Sequence, residues 1–381
     1  MVLSISYIHA SLTDVYKKGI IKLTPDNEFG KNTDWESIFF YSASSLLVAS
    51  DDNIFIAYGK TSNIFKFNSK GEKVGVYSRF GRGPSDTDGP YFSSTLDDKY
   101  LVVGEYAENH RISIFDFAGK FINVIRTKTE SSNVLGLKNG NICYSSLDFI
   151  PATQNNKKIA SIKIHIINMY SKSEIQFPFG EYEMRVIKLE GGGILIPGNF
   201  ISDIIMRKTK NGNLLLSIFN SPDISIYSPE GKLINRFQLN YKPYPVTQKF
   251  IDRLKEEIIN SPMHGLKDPE FAKKIRKARE KADYSFFFNK YLPYYKDIIV
   301  DSDGNFLVFK WTDSFDTSKE VFQVYSPEGK YICETTLEKG MFNLEIDCHV
   351  ALIQFTSTGI YAFVSYEGDE DTAYKIIKVK L

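Results

Sequence analysis

One hairpin unit recurs along this chain. It consists of an alternating apolar strand, a glycine turn and a second strand. The clearest copies are ISIYSPEGKLI at 224–234 and FQVYSPEGKYI at 322–332, with further copies IFKFNSKG at 64–71 and ISIFDFAGKFI at 112–122. In each, the turn glycine supplies positive φ without steric cost, and where proline precedes it the turn is preset. A degraded hairpin at 164–175 falls between the second and third of these. Repetition at a fixed period is the mark of an array of identical small units, each too small to bury its own apolar surface alone.

A second unit, a polar turn followed by an apolar run, precedes each hairpin. DSDGNFLVF at 301–309 is the fullest copy. The others are DDNIFI at 51–56, DDKYLVV at 97–103, NGNIC at 139–143, NGNLLL at 211–216 and STGIYAF at 357–363. Such continuous apolar runs suit strands packed on both faces. Six copies in 381 residues match a ring of four-stranded sheets at roughly 40–50 residues each. The sequence therefore predicts a single all-β domain over 1–381, a six-bladed β-propeller of four-stranded antiparallel blades. Residues 184–197, which hold Gly191, Gly192 and Gly193, are left open between an elaborated third blade and the start of a seventh.

Two segments stand outside the repeat. Residues 246–288 change from period two to period 3.6: Thr247 is a candidate N-cap, and Phe250, Ile251, Leu254 and Ile258 fall on one helical face. A second helix is expected from Asp268 and Pro269. It has an apolar face of Phe271, Ile275, Ala278 and Ala282, and a basic face of Lys273, Lys274, Arg276, Lys277, Arg279 and Lys281. The basic face is read first as a solvated side and second as a partner surface. At the other extreme, residues 1–18 form a lead, and 19–24 are expected to pair with a strand near 374–380. That pairing would close the ring and cover two open edges.

Composition excludes several classes. With 47 Lys plus Arg against 46 Asp plus Glu, the net charge of +1 gives no support for a nucleic-acid partner. No run of about 18 apolar residues occurs, so no transmembrane helix is expected. The three cysteines, Cys143, Cys333 and Cys348, are too few and too odd for a disulfide framework, and leave compartment and pairing open. The N-terminus is mildly apolar but lacks a positive n-region and a small-x-small cleavage site. It is read first as a frayed start and second as a remnant of a targeting peptide.

The SPEGK hairpins, VDSDGNF at 300–306, the loop FGRGP at 80–84 and LPYY at 292–295 together resemble the six-bladed propellers of the bacterial NHL- and TolB-like group. The resemblance runs from about Gly19 to Leu381. It implies an envelope, periplasmic or secreted setting and binding of proteins or glycans. Enzymes of the wider fold imply the alternative of a hydrolase or lyase with a metal in the central channel. Fold alone does not choose between them.

The residues favour binding. His9, His110, His165, His264 and His349 do not recur at equivalent positions, whereas a zinc site wants three or four convergent ligands. No metal or other cofactor is expected. Asp301 to Asn305 lacks the later acidic ligand of a calcium loop and is read as a β-turn. There is no Gly-x-Ser-x-Gly elbow, and Gly81 to Pro84 opens no helix that would hold phosphate. The expected function is a non-catalytic binding or scaffold propeller that takes a protein, peptide or glycan on its loop face. The candidate contacts are Arg79, Arg82, Tyr106, His110, Arg111, Phe219 and Trp311, chosen for the aromatic and arginine types that suit recognition. A purely structural subunit is the third possibility.

Overall fold

The structure is a computed structural model. It describes residues 11–22, 24–38, 43–58, 61–91, 94–105, 110–127, 132–150, 157–185, 187–188, 194–195, 204–260, 269–284, 290–312, 319–338, 349–367 and 372–380.

The chain enters through helix α1 (Leu12–Tyr16) and the short strands β1 (Ile20–Lys22) and β2 (Thr24–Pro25). Blade one is β3 (Ser45–Val48), β4 (Ile54–Tyr58), β5 (Asn63–Phe67) and β6 (Lys73–Tyr77). Blade two has a split inner strand, β7 (Pro90–Tyr91) and β8 (Thr95–Leu96), then β9 (Tyr100–Glu105), β10 (Arg111–Asp116) and β11 (Phe121–Arg126). Blade three is β12 (Ser132–Gly136), β13 (Asn141–Ile150), β14 (Lys157–Asn168) and β15 (Glu174–Arg185). A separate two-stranded ribbon follows, β16 (Ile187–Lys188) with β17 (Ile194–Leu195); Gly191, Gly192 and Gly193 lie outside the described residues.

Blade four is β18 (Ile204–Lys208), β19 (Leu214–Ile218), β20 (Asp223–Tyr227) and β21 (Leu233–Gln238). Helices α2 (Gln248–Asn260) and α3 (Pro269–Lys281) intervene. Blade five is β22 (Asp297–Val300), β23 (Phe306–Phe309), β24 (Lys319–Tyr325) and β25 (Tyr331–Glu338). Blade six is β26 (His349–Thr356), β27 (Gly359–Glu367) and β28 (Thr372–Lys380), completed by β2. The protein is a six-bladed β-propeller.

The core lies in the six seams between blades. Strand β4 shows why. Ile54, Ile56 and Tyr58 pack into the seam with blade six, while Phe55 and Ala57 pack into the seam with blade two. Alternate residues point to opposite faces, and both faces are covered, so the strand is apolar throughout. The same division holds for Ile205 and Leu215 against Met206, Leu214 and Leu216 in blade four. The hairpin turns follow from their sequence. Gly231 and Gly329 sit at φ +80° and +82°. Ser228 Oγ and Ser326 Oγ accept backbone N–H bonds from residues two and four positions on.

Ring closure departs from the expectation for 19–24. Only Thr24–Pro25 pairs with the last strand, Thr24 with Lys380 and Pro25 with Val379. Ile20–Lys22 instead runs parallel to β25, opposite Thr336 to Glu338. The reason is the seam between blades five and six, which buries Ile21, Leu12 and Tyr16 together with Leu337, Phe322 and Phe355. Tyr16 sits edge-on to Phe322 and donates to Asp301 Oδ2 at 3.0 Å, and Leu12 N–H donates to Asp303 Oδ2 at 2.9 Å. The lead from Ser11 onward is therefore a wedge in this seam.

Strand direction defines two faces. The first-to-second and third-to-fourth strand turns lie on one side, here the turn face. The second-to-third loops and the connections between blades lie on the other, the loop face. Asp301 and Asp303 belong to a first-to-second turn, so α1 lies on the turn face. The insert α2–α3 connects two blades on the loop face.

Candidate functional site

Among the described residues of the loop face, the connection from β6 to β7, residues 78–89, carries a dense internal hydrogen-bond network. Thr87 N–H donates to the Arg79 carbonyl at 2.9 Å and Gly81 N–H to the Thr87 carbonyl at 3.3 Å, closing the loop on itself. Asp86 fills its centre: its carboxylate accepts from Arg79 Nε at 3.1 Å and Gly83 N–H at 3.0 Å. These two hydrogen bonds, Arg79 first, hold the Asp86 carboxyl below its ordinary value. The glycines make room for it. A Cβ on Gly81 would stand 2.5 Å from Asp86 Oδ2, and one on Gly83 2.7 Å.

Beneath this loop lies a buried ion pair. Arg111 Nε donates to Glu105 Oε1 at 2.6 Å, and both side chains are almost wholly out of water. The rest of the guanidinium fork reaches upward, to the carbonyls of Gly83 at 3.0 Å, Arg82 at 3.4 Å and Asp86. Glu105 in turn accepts from Asp88 N–H at 3.2 Å and from Ser113 Oγ at 3.3 Å. A planar five-donor cation matches this set of carbonyls and one carboxylate. The loop is thus latched to blade two.

What the latched loop presents is Arg79, with its side chain 84% exposed, and Phe80, 69% exposed, followed by exposed Arg82 and Pro84. Arginine and aromatic side chains are the types enriched at interfaces, and here the backbone beneath them is already ordered.

The seven sequence-chosen residues divide. Arg79 and Arg82 lie together on this loop. Arg111 is below it, spent on the latch. His110, at φ +46°, immediately precedes β10; its carbonyl accepts from Thr127, and its Nδ1 is buried with no hydrogen-bond partner among the described residues. Tyr106 lies outside the described residues. Phe219 and Trp311 are elsewhere on the ring. Phe219 packs on Tyr295 at 5.3 Å, and Trp311 meets Phe250 of α2 edge-on at 6.2 Å beneath Lys296. Phe219 lies in the seam between blades four and five, and Trp311 packs with Leu254, Tyr284 and Leu292 against the helical insert. The residue that sequence reasoning passed over is Phe80: it was noted within FGRGP, but nothing local tells an exposed phenylalanine from a buried one.

The inner strands supply ties between blades. Gln354 of β26 bonds both backbone groups of Val48. Arg207 of β18 reaches Asp297 at 2.6 Å and the Ile298 carbonyl at 2.9 Å. Lys208 passes blade three to reach the Thr95 carbonyl at 2.8 Å and Asp98 at 3.2 Å. Burial lowers the Lys208 pKa. For Asp98, burial pulls upward, but the Lys208 charge and the bonds from Thr95 and Lys208 outweigh it, leaving its carboxyl below the ordinary value. Among the described residues, no group of three or more His, Cys, Asp or Glu is arranged to hold a metal. Nor is any described helix long and apolar enough to cross a membrane.

Comparison with known proteins adds the fold. A candidate exported protein from Bacteroides fragilis NCTC 9343 aligns over 95% of this chain and 99% of its own, at 11% identity and a TM-score of 0.52. A DUF4221 family member from Bacteroides vulgatus aligns over 94% and 95%, at 9% identity and a TM-score of 0.49. Virginiamycin B lyase from Staphylococcus aureus aligns over 88% and 80%, at 11% identity and a TM-score of 0.39. No family model and no curated protein matches the chain.

Proposed function

We propose that this propeller is a binding module that recognises a protein, peptide or glycan ligand on its loop face. The observation that carries this reading is the latched loop, which holds an exposed phenylalanine between two exposed arginines. Ordering such a loop before binding removes an entropic cost that association would otherwise meet. Aromatic and arginine anchors at the centre of an interface carry a large share of its energy. Fold similarity to an exported protein is consistent with a ligand met outside the cytoplasm.

The test is a peptide and glycan array probed with the intact chain and with a Phe80→Ala, Arg82→Ala double variant. Ligands bound by the intact chain should weaken at least about tenfold in the variant, the equivalent of about 1.4 kcal/mol. Ligands held equally well by both would place recognition elsewhere and overturn this reading.

A further inference from the structure

Blade three carries a polar cluster that the recognition loop does not use. Three adjacent strands contribute one residue each: Ser146 from β13, His165 from β14 and Glu174 from β15. Ser146 Oγ lies 2.9 Å from His165 Nε2, and His165 Nδ1 lies 3.1 Å from Glu174 Oε1. Tyr144 donates to the same Glu174 oxygen at 3.1 Å, and its ring stacks on the imidazole at 4.5 Å between centroids with 5° between planes. We propose that Ser146, His165 and Glu174 are nucleophile, general base and orienting carboxylate for hydrolysis of a small neutral carboxylic ester.

Register explains the convergence. Tyr144 is paired with His165, and Ser146 with Lys163, so these four side chains share one face of the blade. Glu174 lies one diagonal step from His165, which is directly opposite Gln176, within reach of a long side chain. A carboxylate accepts but does not donate, so it holds the proton on Nδ1. That leaves Nε2 with its lone pair toward the Ser146 hydroxyl. The stacked tyrosine fixes the ring plane. A nucleophile bonded to a base that is itself oriented by a third group is the arrangement by which acyl transfer is recognised, whatever the fold.

Ser146 is 3% exposed. Directly across from it stands Lys163, its cross-strand partner, ion-paired with Asp148 at 2.6 Å, both side chains about half exposed. Exposed pairs of this kind are held weakly in water, so Lys163 can leave Asp148, beside Ser146, at little cost. The pair beside Ser146 is neutral overall, which favours an uncharged substrate. In the reaction, Ser146 Oγ bonds to the acyl carbon while its proton passes to His165 Nε2. That proton then leaves with the departing alkoxide as the alcohol. Water, deprotonated by the same nitrogen, next attacks the acyl carbon; the Ser146–acyl bond breaks to release the carboxylic acid, and His165 returns its proton to Ser146 Oγ.

The test uses the full chain and diisopropyl fluorophosphate, which forms a Ser146 O–P bond with loss of fluoride. One adduct per chain, mapped to Ser146, is expected. Its rate should fall about 100-fold in His165→Gln, fall less in Glu174→Gln, and rise in Lys163→Ala. Hydrolysis of p-nitrophenyl acetate should disappear in Ser146→Ala, a variant that removes one oxygen and leaves the strand intact. Thermal melts establish that each variant is folded. A folded intact chain without an adduct at Ser146, or a folded His165→Gln labelled at the original rate, overturns the proposal. So does ester hydrolysis unchanged in Ser146→Ala. None of these outcomes depends on the Phe80 loop.

Discussion

Arg111 grips Glu105 with two donors, Nε to Oε1 at 2.6 Å and Nη2 to Oε2 at 3.2 Å, while its remaining N–H groups hold carbonyls of the loop above. Removing the cation leaves a carboxylate buried without its partner, which in general costs about 3–5 kcal/mol. Arg111→Met should therefore lower the denaturation midpoint strongly. It should also speed hydrogen exchange across residues 79–88 at denaturant concentrations where the rest of blade two stays protected. Exchange in that loop unchanged from the intact protein would show that it holds itself without the latch.

Phe80 and Arg82 have no such structural burden. Phe80→Ala and Arg82→Ala should each change folding stability by no more than about 0.5 kcal/mol. Gly81→Ala differs, because its Cβ would collide with Asp86 Oδ2 and break the Asp86 bonds to Arg79 and Gly83. A loss of about 1 kcal/mol is expected. Denaturant melts of the three variants check this: equal stability in all three would mean that Asp86 moves aside freely.

Tyr16 seals the seam between blades five and six. Tyr16→Ala should cost about 3–5 kcal/mol, the usual range for emptying a large aromatic site. Tyr16→Phe should cost about 1–2 kcal/mol, because Asp301 loses one donor and the ring stays. Deleting residues 1–10 leaves Leu12 and Tyr16 in place and should be silent, whereas deleting 1–17 should match or exceed Tyr16→Ala. Calorimetry distinguishes the two truncations.

Asp301 gives a pH signature. Burial raises its carboxyl pKa above the ordinary value, against hydrogen bonds from Asn305 and Tyr16 that favour the ionised form. A raised folded pKa means that the folded state binds its proton more tightly than the unfolded state. Stability from this group is then greatest at low pH and declines as pH rises from the unfolded value through the folded one. In Asp301→Asn that decline is absent. The stability of the variant relative to the intact protein should therefore improve between pH 4 and pH 7. A difference that is flat across that range, measured by urea melts, would contradict the assignment.

The blades were legible in the sequence because the seams impose a strict local pattern. A strand such as Ile54–Tyr58 must be apolar at every position, and turns such as Gly231 and Gly329 must reach positive φ. The insert was legible because Phe250 and Leu254 repeat at helical spacing. The candidate site was legible only in part. Arg79 and Arg82 stood out by type, but an arginine opening a strand looks alike whether it faces water or, as Arg111 does, Glu105 and the carbonyls of Arg82, Gly83 and Asp86. Phe219 and Trp311 have the composition of ligand contacts, and their packing in the seam of blades four and five and against the insert has no local sequence mark. Ser146, His165 and Glu174 are separated by 19 and 9 positions, and their meeting depends on cross-strand register, which no local spacing encodes. The closing strand was misplaced by a few residues because Ile20, Ile21 and Thr24 all suit an edge, and only the neighbouring seam decides among them.

The pairing of Thr24 with Lys380 also sets a clock. A ribosome delivers roughly 5–20 residues per second, and roughly 350 residues separate the two partners. For something on the order of 20–70 seconds, Leu12, Tyr16 and Ile21 exist without the surfaces that will bury them. A segment made this long before its partners is among the last to be housed, and until blades five and six exist its apolar side chains need a temporary companion.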